Sequence, residues 1–224
     1  MNAVVRTWNL SIIYKAVMAV TGVVLVGFVV GHLLGNLQIF LGPEAFNGYA
    51  EKLRHLGPLL WLVRIVLMIM LALHIYVGIK LKLENLAARP IDYRHRRYVR
   101  ATAASRTMIW SGAGIGLYLI YHLAHLTFKV TNPELYTGNL YLLTVHSFKV
   151  WWISLVYVAA MLILCLHVYH GATSMFQSLG LNHDRYNPII NRIGPVLGIA
   201  LAAATSRFPG GVLVGFPTRR EAWR

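Results

Sequence analysis

Residues 162–180 read LILCLHVYHGATSMFQSLG. The run is apolar enough for hydrocarbon, yet it carries two imidazoles, His167 and His170. Hydrocarbon offers an imidazole no hydrogen-bond partner, so such side chains are rare inside membrane segments and mark functional positions. His167 has counterparts: three other apolar runs each hold a histidine at a comparable place, His32, His74 and His122. The fold and the chemistry follow from how these four runs are laid beside one another.

Composition points the same way. Of 224 residues, 57% are hydrophobic and 12% charged, whereas a soluble domain carries about 25% charged residues. No cleavable leader with small residues at a cut site is apparent, so the first apolar run reads as a retained span. The single cysteine, Cys165, lies inside a run. That excludes an internal disulfide, a C-x-x-C-H haem attachment and a cysteine-ligated iron–sulfur cluster. The net charge is +14, but the basic residues sit in the connections between runs. This pattern argues against a nucleic-acid surface and for a bilayer.

Five spans of about 20 residues can be drawn, at roughly 12–37, 59–83, 107–129, 149–172 and 189–208. They make one all-α transmembrane domain over residues 1–224, a five-helix bundle. The fifth run contains Gly194-Pro195 and ends in Phe208-Pro209-Gly210-Gly211, which membrane helices tolerate when neighbours cover the freed backbone groups. The connection 80–106 holds Lys80, Lys82, Arg89, Arg94, Arg96, Arg97, Arg100 and Arg106, against only Lys52 and Arg54 in the first outer loop. By the positive-inside rule the N-terminus is cytoplasmic. In the first outer loop Phe46, Tyr49, Ala50 and Leu53 recur at helical spacing, and Pro43 suits a first helical turn. A short interfacial helix over 43–55 is expected there.

Depth then sorts the histidines. His32 and His122 lie about 6–11 Å below the outer ends of two outward-running spans, at 1.5 Å per residue. His74 and His167 lie past the middle of two inward-running spans. The pairs are therefore His32 with His122 outside and His74 with His167 inside, the two levels roughly 15 Å apart. Two bis-histidine haems b, stacked across the membrane and held without covalent attachment, fit that arrangement. Thr21-Gly22 and Ser111-Gly112 stand ten residues before His32 and His122, at the level of the inner pair, and Gly114 and Gly116 follow. Small residues there would let a flat porphyrin approach, although small-residue helix packing is common in membranes.

Other side chains are candidates beside this set. Arg64 is a charge well inside a span, ten residues before His74. It is a candidate partner for a haem propionate, with snorkelling to the surface as the alternative. Lys15 and Arg106 are weaker candidates near the inner surface. His125 and His170 follow His122 and His167 by three residues and share their side of the helix. Depth does not separate neighbours one turn apart, so either can be the ligand or can contact haem or quinone. His55, His146, His95 and His183 fall in connections, where solvation is the default.

The segments TGVVLVGFVVGHLLGN, EAFNGYAEKLR, LHIYVG, SGAGIGLYLIYHLAHLT and LHVYHGATSMFQSLG, in this order and spacing, resemble the cytochrome b membrane-anchor subunit of succinate dehydrogenase and fumarate reductase, in its single-polypeptide, five-span, di-haem branch. The resemblance covers most of 15–180. It implies His32, His74, His122 and His167 as the axial iron ligands, favouring His122 over His125 and His167 over His170. It also implies flavoprotein and iron–sulfur partner subunits and electron delivery to a membrane quinone, often menaquinone. A higher oligomer of the complex is compatible with it. The expected place is a bacterial cytoplasmic membrane and the expected role non-catalytic, with no succinate active site on this chain. Glu51 loosely matches an acidic residue near an outer quinone site, while Cys165 stands where some relatives place a second carboxylate. The basic stretch 89–98 could dock the soluble subunits. Alternatives are the di-haem anchor of another quinone-linked dehydrogenase or hydrogenase, and a non-redox transporter with a histidine proton relay.

Overall fold

The computed structural model describes residues 3–88, 103–130, 139–181 and 183–213. Among these the chain is helical, without strands. Helix α1 (Ala3–Asn36) tightens into a 3-10 turn (Leu37–Leu41), followed by α2 (Pro43–His55) and α3 (Pro58–Ala87). A short α4 (Ala103–Arg106) leads into α5 (Met108–His122), which widens into a π-helical turn (Leu123–Thr127). Then come α6 (Leu140–Lys149), α7 (Trp151–Ser178) and α8 (Asn187–Leu213). The breaks are local chemistry. Gly42 and Gly57 take positive φ, which glycine adopts without strain, and Pro43 and Pro58 each open the next helix, where a missing N–H costs nothing.

Four helices are long and apolar enough to cross a membrane: Ser11–Leu41, Pro58–Ala87, Trp151–Ser178 and Asn187–Thr205. The run expected at 107–129 is shorter as a regular helix. It leaves α geometry at Leu123, where Phe128 N–H bonds Leu123 C=O over 2.8 Å, and it ends by Lys129 at φ 56°. The other spans are longer than expected, α7 reaching Ser178 and α8 Leu213. The helix expected at 43–55 is α2. The sequence reading missed α6, a ten-residue helix capped by Asn139, whose side-chain oxygen accepts from Leu142 N–H at 3.1 Å. Asn47 ties α2 to it, donating to Asn139 Oδ1 at 2.9 Å and accepting from Tyr141 N–H at 3.1 Å.

Two antiparallel hairpins form the frame. In one, α1 runs against α3: Lys80 lies over Tyr14, Met18 faces Gly78 and Thr21 meets His74. In the other, α5 runs against α7: Met108 faces Gly171, Gly112 faces His167 and His122 meets Tyr157. Between the hairpins, α1 packs on α7, and α8 lies along α7. A Cβ on Gly194 would run into the Tyr169 carbonyl and the Thr173 hydroxyl, and one on Gly198 would come within 3.1 Å of the Cys165 carbonyl. The absent side chains let the two backbones touch, as small residues four apart do in membrane helix pairs.

Two cores result. One gathers Ile39, Phe46, Tyr141, Val145, Phe148 and Tyr157 at the end where α2 and α6 lie. The other joins Cys165, Val168 and Ala172 of α7 to Leu201 of α8, with Val29 and Leu33 of α1 against them. Much of the remaining apolar surface faces outward, including Trp61, Leu62, Ile65 and Met68 on α3. Apolar surface on this scale suits contact with lipid, in keeping with four helices of membrane-crossing length.

Candidate functional site

The structure brings the four histidines together in two couples, one from each hairpin. His74 of α3 and His167 of α7 have ring centroids 6.4 Å apart at 61°. His32 of α1 and His122 of α5 have centroids 5.8 Å apart at 90°. These are the couples that depth predicts.

Two hydroxyls stand beside the His74–His167 couple. Thr21 Oγ1 donates to the Val17 carbonyl at 2.8 Å, with the Met18 carbonyl at 3.1 Å, and lies 3.0 Å from His74 Nδ1. A hydroxyl has one proton and two lone pairs. With its proton on the backbone, Thr21 accepts from His74 Nδ1–H. Ser111 repeats the arrangement: it donates to the Met108 carbonyl at 3.0 Å and receives His167 Nδ1–H at 3.0 Å. In that arrangement both imidazoles are the Nδ1–H tautomer, and each Nε2 has its lone pair available for a metal. Metal-binding histidines are oriented in this way by a partner on the second nitrogen. Gly22 and Gly112 sit beside the rings: a Cβ on either would lie 3.5 Å from the Cε1 of His74 or His167.

The His32–His122 couple has different supports. Phe28 stacks on His32 with centroids 5.4 Å apart and 20° between planes. Tyr157 Oη lies 3.3 Å from His122 Nδ1 and 3.0 Å from His125 Nδ1, and His125 Nε2 lies 3.1 Å from Ser147 Oγ. His125 is only 1% exposed. Both its nitrogens are engaged by α6 and α7, so of the two neighbours it is His122 that stands against His32.

The spacing suits an iron between the rings. An imidazole nitrogen lies about 2 Å from a first-row metal and the ring centre about 1 Å behind it, so a trans pair has centroids about 6 Å apart. Among the described residues no group of three or more His, Cys, Asp or Glu side chains converges.

Other candidates lie elsewhere. The Arg64 guanidinium stacks over Trp61 at 5.1 Å on an exposed stretch of α3. Glu51 is exposed on α2 and pairs with His55 at 3.6 Å. His170 lines an open recess between α7 and α8 with Thr173 and Asn191, not a couple. Lys15 and Arg106 are exposed, His146 is half-buried, and His183 accepts from Arg185 N–H at 3.2 Å. His95 and the basic stretch 89–98 lie outside the described residues. The functional residues that sequence reasoning missed are Tyr157, Ser147 and the hydroxyls of Thr21 and Ser111. The last two were read only as small. Comparison of the chain with protein-family models, with curated proteins and with solved structures finds no match.

Proposed function

We propose that this chain is the cytochrome b membrane anchor of a succinate:quinone oxidoreductase, with five spans, two haems b and a membrane quinone, menaquinone favoured, as electron acceptor. The observation that carries the haem reading is the two imidazole couples, with ring centroids 5.8 and 6.4 Å apart, His74 and His167 each having a hydroxyl 3.0 Å from Nδ1. The step from a di-haem protein to this particular anchor rests on the sequence resemblance.

In this reading His32 and His122 hold the outer haem, and His74 and His167 the inner one. Bound haem supplies reversible one-electron iron chemistry. The chain's own contribution is to present four neutral imidazoles, keep their rings from turning and exclude water with the α1–α7–α8 core. The α5 helix with its π turn, Met108–Thr127, serves as the remaining span. The two levels, ten residues apart on each helix, are separated by about 15 Å. Electrons from an iron–sulfur partner on the cytoplasmic side would meet the inner haem first.

The test is a pyridine haemochrome assay and a redox titration of the complex purified with its partners. Two haems per chain are expected, with two midpoints. His74→Ala and His167→Ala should each remove the inner signal, and His32→Ala and His122→Ala the outer one. Loss of a haem in His125→Ala with both retained in His122→Ala would overturn the α5 assignment. Co-purifying flavoprotein and iron–sulfur subunits distinguish this anchor from that of another dehydrogenase or a hydrogenase.

A further inference from the structure

The two couples differ in how their Nδ1 atoms are satisfied, and the difference assigns a role to two residues that belong to neither couple. Thr21 and Ser111 each also reach a helix carbonyl, so with their protons placed there they accept from the inner rings. Tyr157 has no such constraint. Its oxygen stands between His122 Nδ1 and His125 Nδ1, so its single proton goes to one of them. On His122 it would make Nδ1 an acceptor, forcing the ring proton onto Nε2, where no metal can then bind. On His125 it leaves the Tyr157 oxygen free to accept His122 Nδ1–H, and His122 Nε2 keeps its lone pair. The second arrangement completes itself through His125 Nε2–H to Ser147 Oγ, giving a one-way chain from His122 through Tyr157 and His125 to Ser147.

We propose that His125 and Tyr157 are positioning residues for the outer haem: His125 draws the Tyr157 proton away from His122 and so keeps His122 in its ligating tautomer. The proposal rests on the haem reading above. It explains why a fully buried histidine stands one turn from the ligand while facing away from His32. It also makes an unusual demand, that removing His125 does more harm than removing the hydroxyl His125 serves. In His125→Leu the Tyr157 proton is left with His122 Nδ1 as its remaining neighbour. In Tyr157→Phe nothing competes for that nitrogen.

The experiment compares His125→Leu, Tyr157→Phe, their double variant and His125→Asn in the purified complex, reading haem content and the two midpoints. His125→Leu should lower outer-haem affinity roughly tenfold or more, the scale of an unmatched buried donor. Tyr157→Phe should keep both haems and raise the outer midpoint, because a ligand that no longer donates through Nδ1 is less electron-rich. The double variant should regain the outer haem that His125→Leu loses, and His125→Asn, which retains an acceptor near the Nδ1 position, should resemble the unaltered protein. The inner midpoint should stay fixed throughout, which a general loss of packing would not allow. Two haems in the parent with a double variant as poor as His125→Leu, or with the outer midpoint unmoved in Tyr157→Phe, overturns this proposal alone. A parent complex without haem overturns the haem reading and this with it.

Discussion

A hydroxyl can serve a buried imidazole as an acceptor only if its own proton has somewhere else to go. Thr21 is 2% exposed, and its proton goes to the preceding helical turn. Thr21→Val keeps the shape and removes the hydroxyl beside His74 Nδ1, a lost hydrogen bond worth about 0.5–1.5 kcal/mol. Loss of such an orienting partner typically lowers metal affinity about 10–100-fold. If the proposed haems are bound, haem titration should therefore show weakened binding at His74–His167 in Thr21→Val and in Ser111→Ala, and near-parent binding in Thr21→Ser. The sequence places Thr21 and Ser111 at the right depth, because residue count along a helix is distance. It does not reveal which atom they touch. That depends on the neighbouring helix and its rotation, which no run of apolar residues encodes. Tyr157 was illegible for the same reason: it lies ten residues before His167, at the outer level, among residues equally suited to lipid.

Among the elements, α8 is the one whose place depends on missing side chains. Gly194→Leu would push a side chain into Tyr169 and Thr173 and separate α8 from α7. A clear fall in detergent Tm is expected, of the 1–3 kcal/mol typical of overpacking. Gly48 of α2 is the contrast: nothing lies within 4 Å of where its Cβ would be. Gly48→Ala should stabilise α2 by about 0.5–1 kcal/mol, seen as a small rise in Tm. Asn139→Ala removes a helix cap worth about 1 kcal/mol together with the bond from Asn47, so α6 and α2 should loosen jointly, measurable as faster amide exchange in both. Helix α2 was legible because its four apolar positions repeat at helical spacing. Helix α6 was not, because it is short and buried on nearly every side, so no polar face alternates with an apolar one to give it away. The π turn after His122 was invisible too, since nothing in LAHLT departs from ordinary helical composition.

For the whole molecule the governing fact is the outward-facing apolar surface. Trp61, Trp110, Trp151 and Trp152 are 62%, 76%, 69% and 47% exposed, and each lies near the start of its helix. Indoles favour the headgroup level. In single-tryptophan variants reconstituted in vesicles, a quencher near the headgroups should therefore outperform one at the acyl terminus. The hairpin plan has its own corollary. The tethers to the Nδ1 atoms of His74, His122 and His167 stay inside one hairpin, Thr21 to His74 and Tyr157 and Ser111 to His122 and His167, while both imidazole couples bridge the hairpins. A chain severed between Ala88 and Ala103 would thus yield two pieces, each presenting half of both clasps already set. Tetrapyrrole would act as their suture: tagged and untagged fragments made together should reunite well in cells that synthesise haem and poorly in cells that cannot.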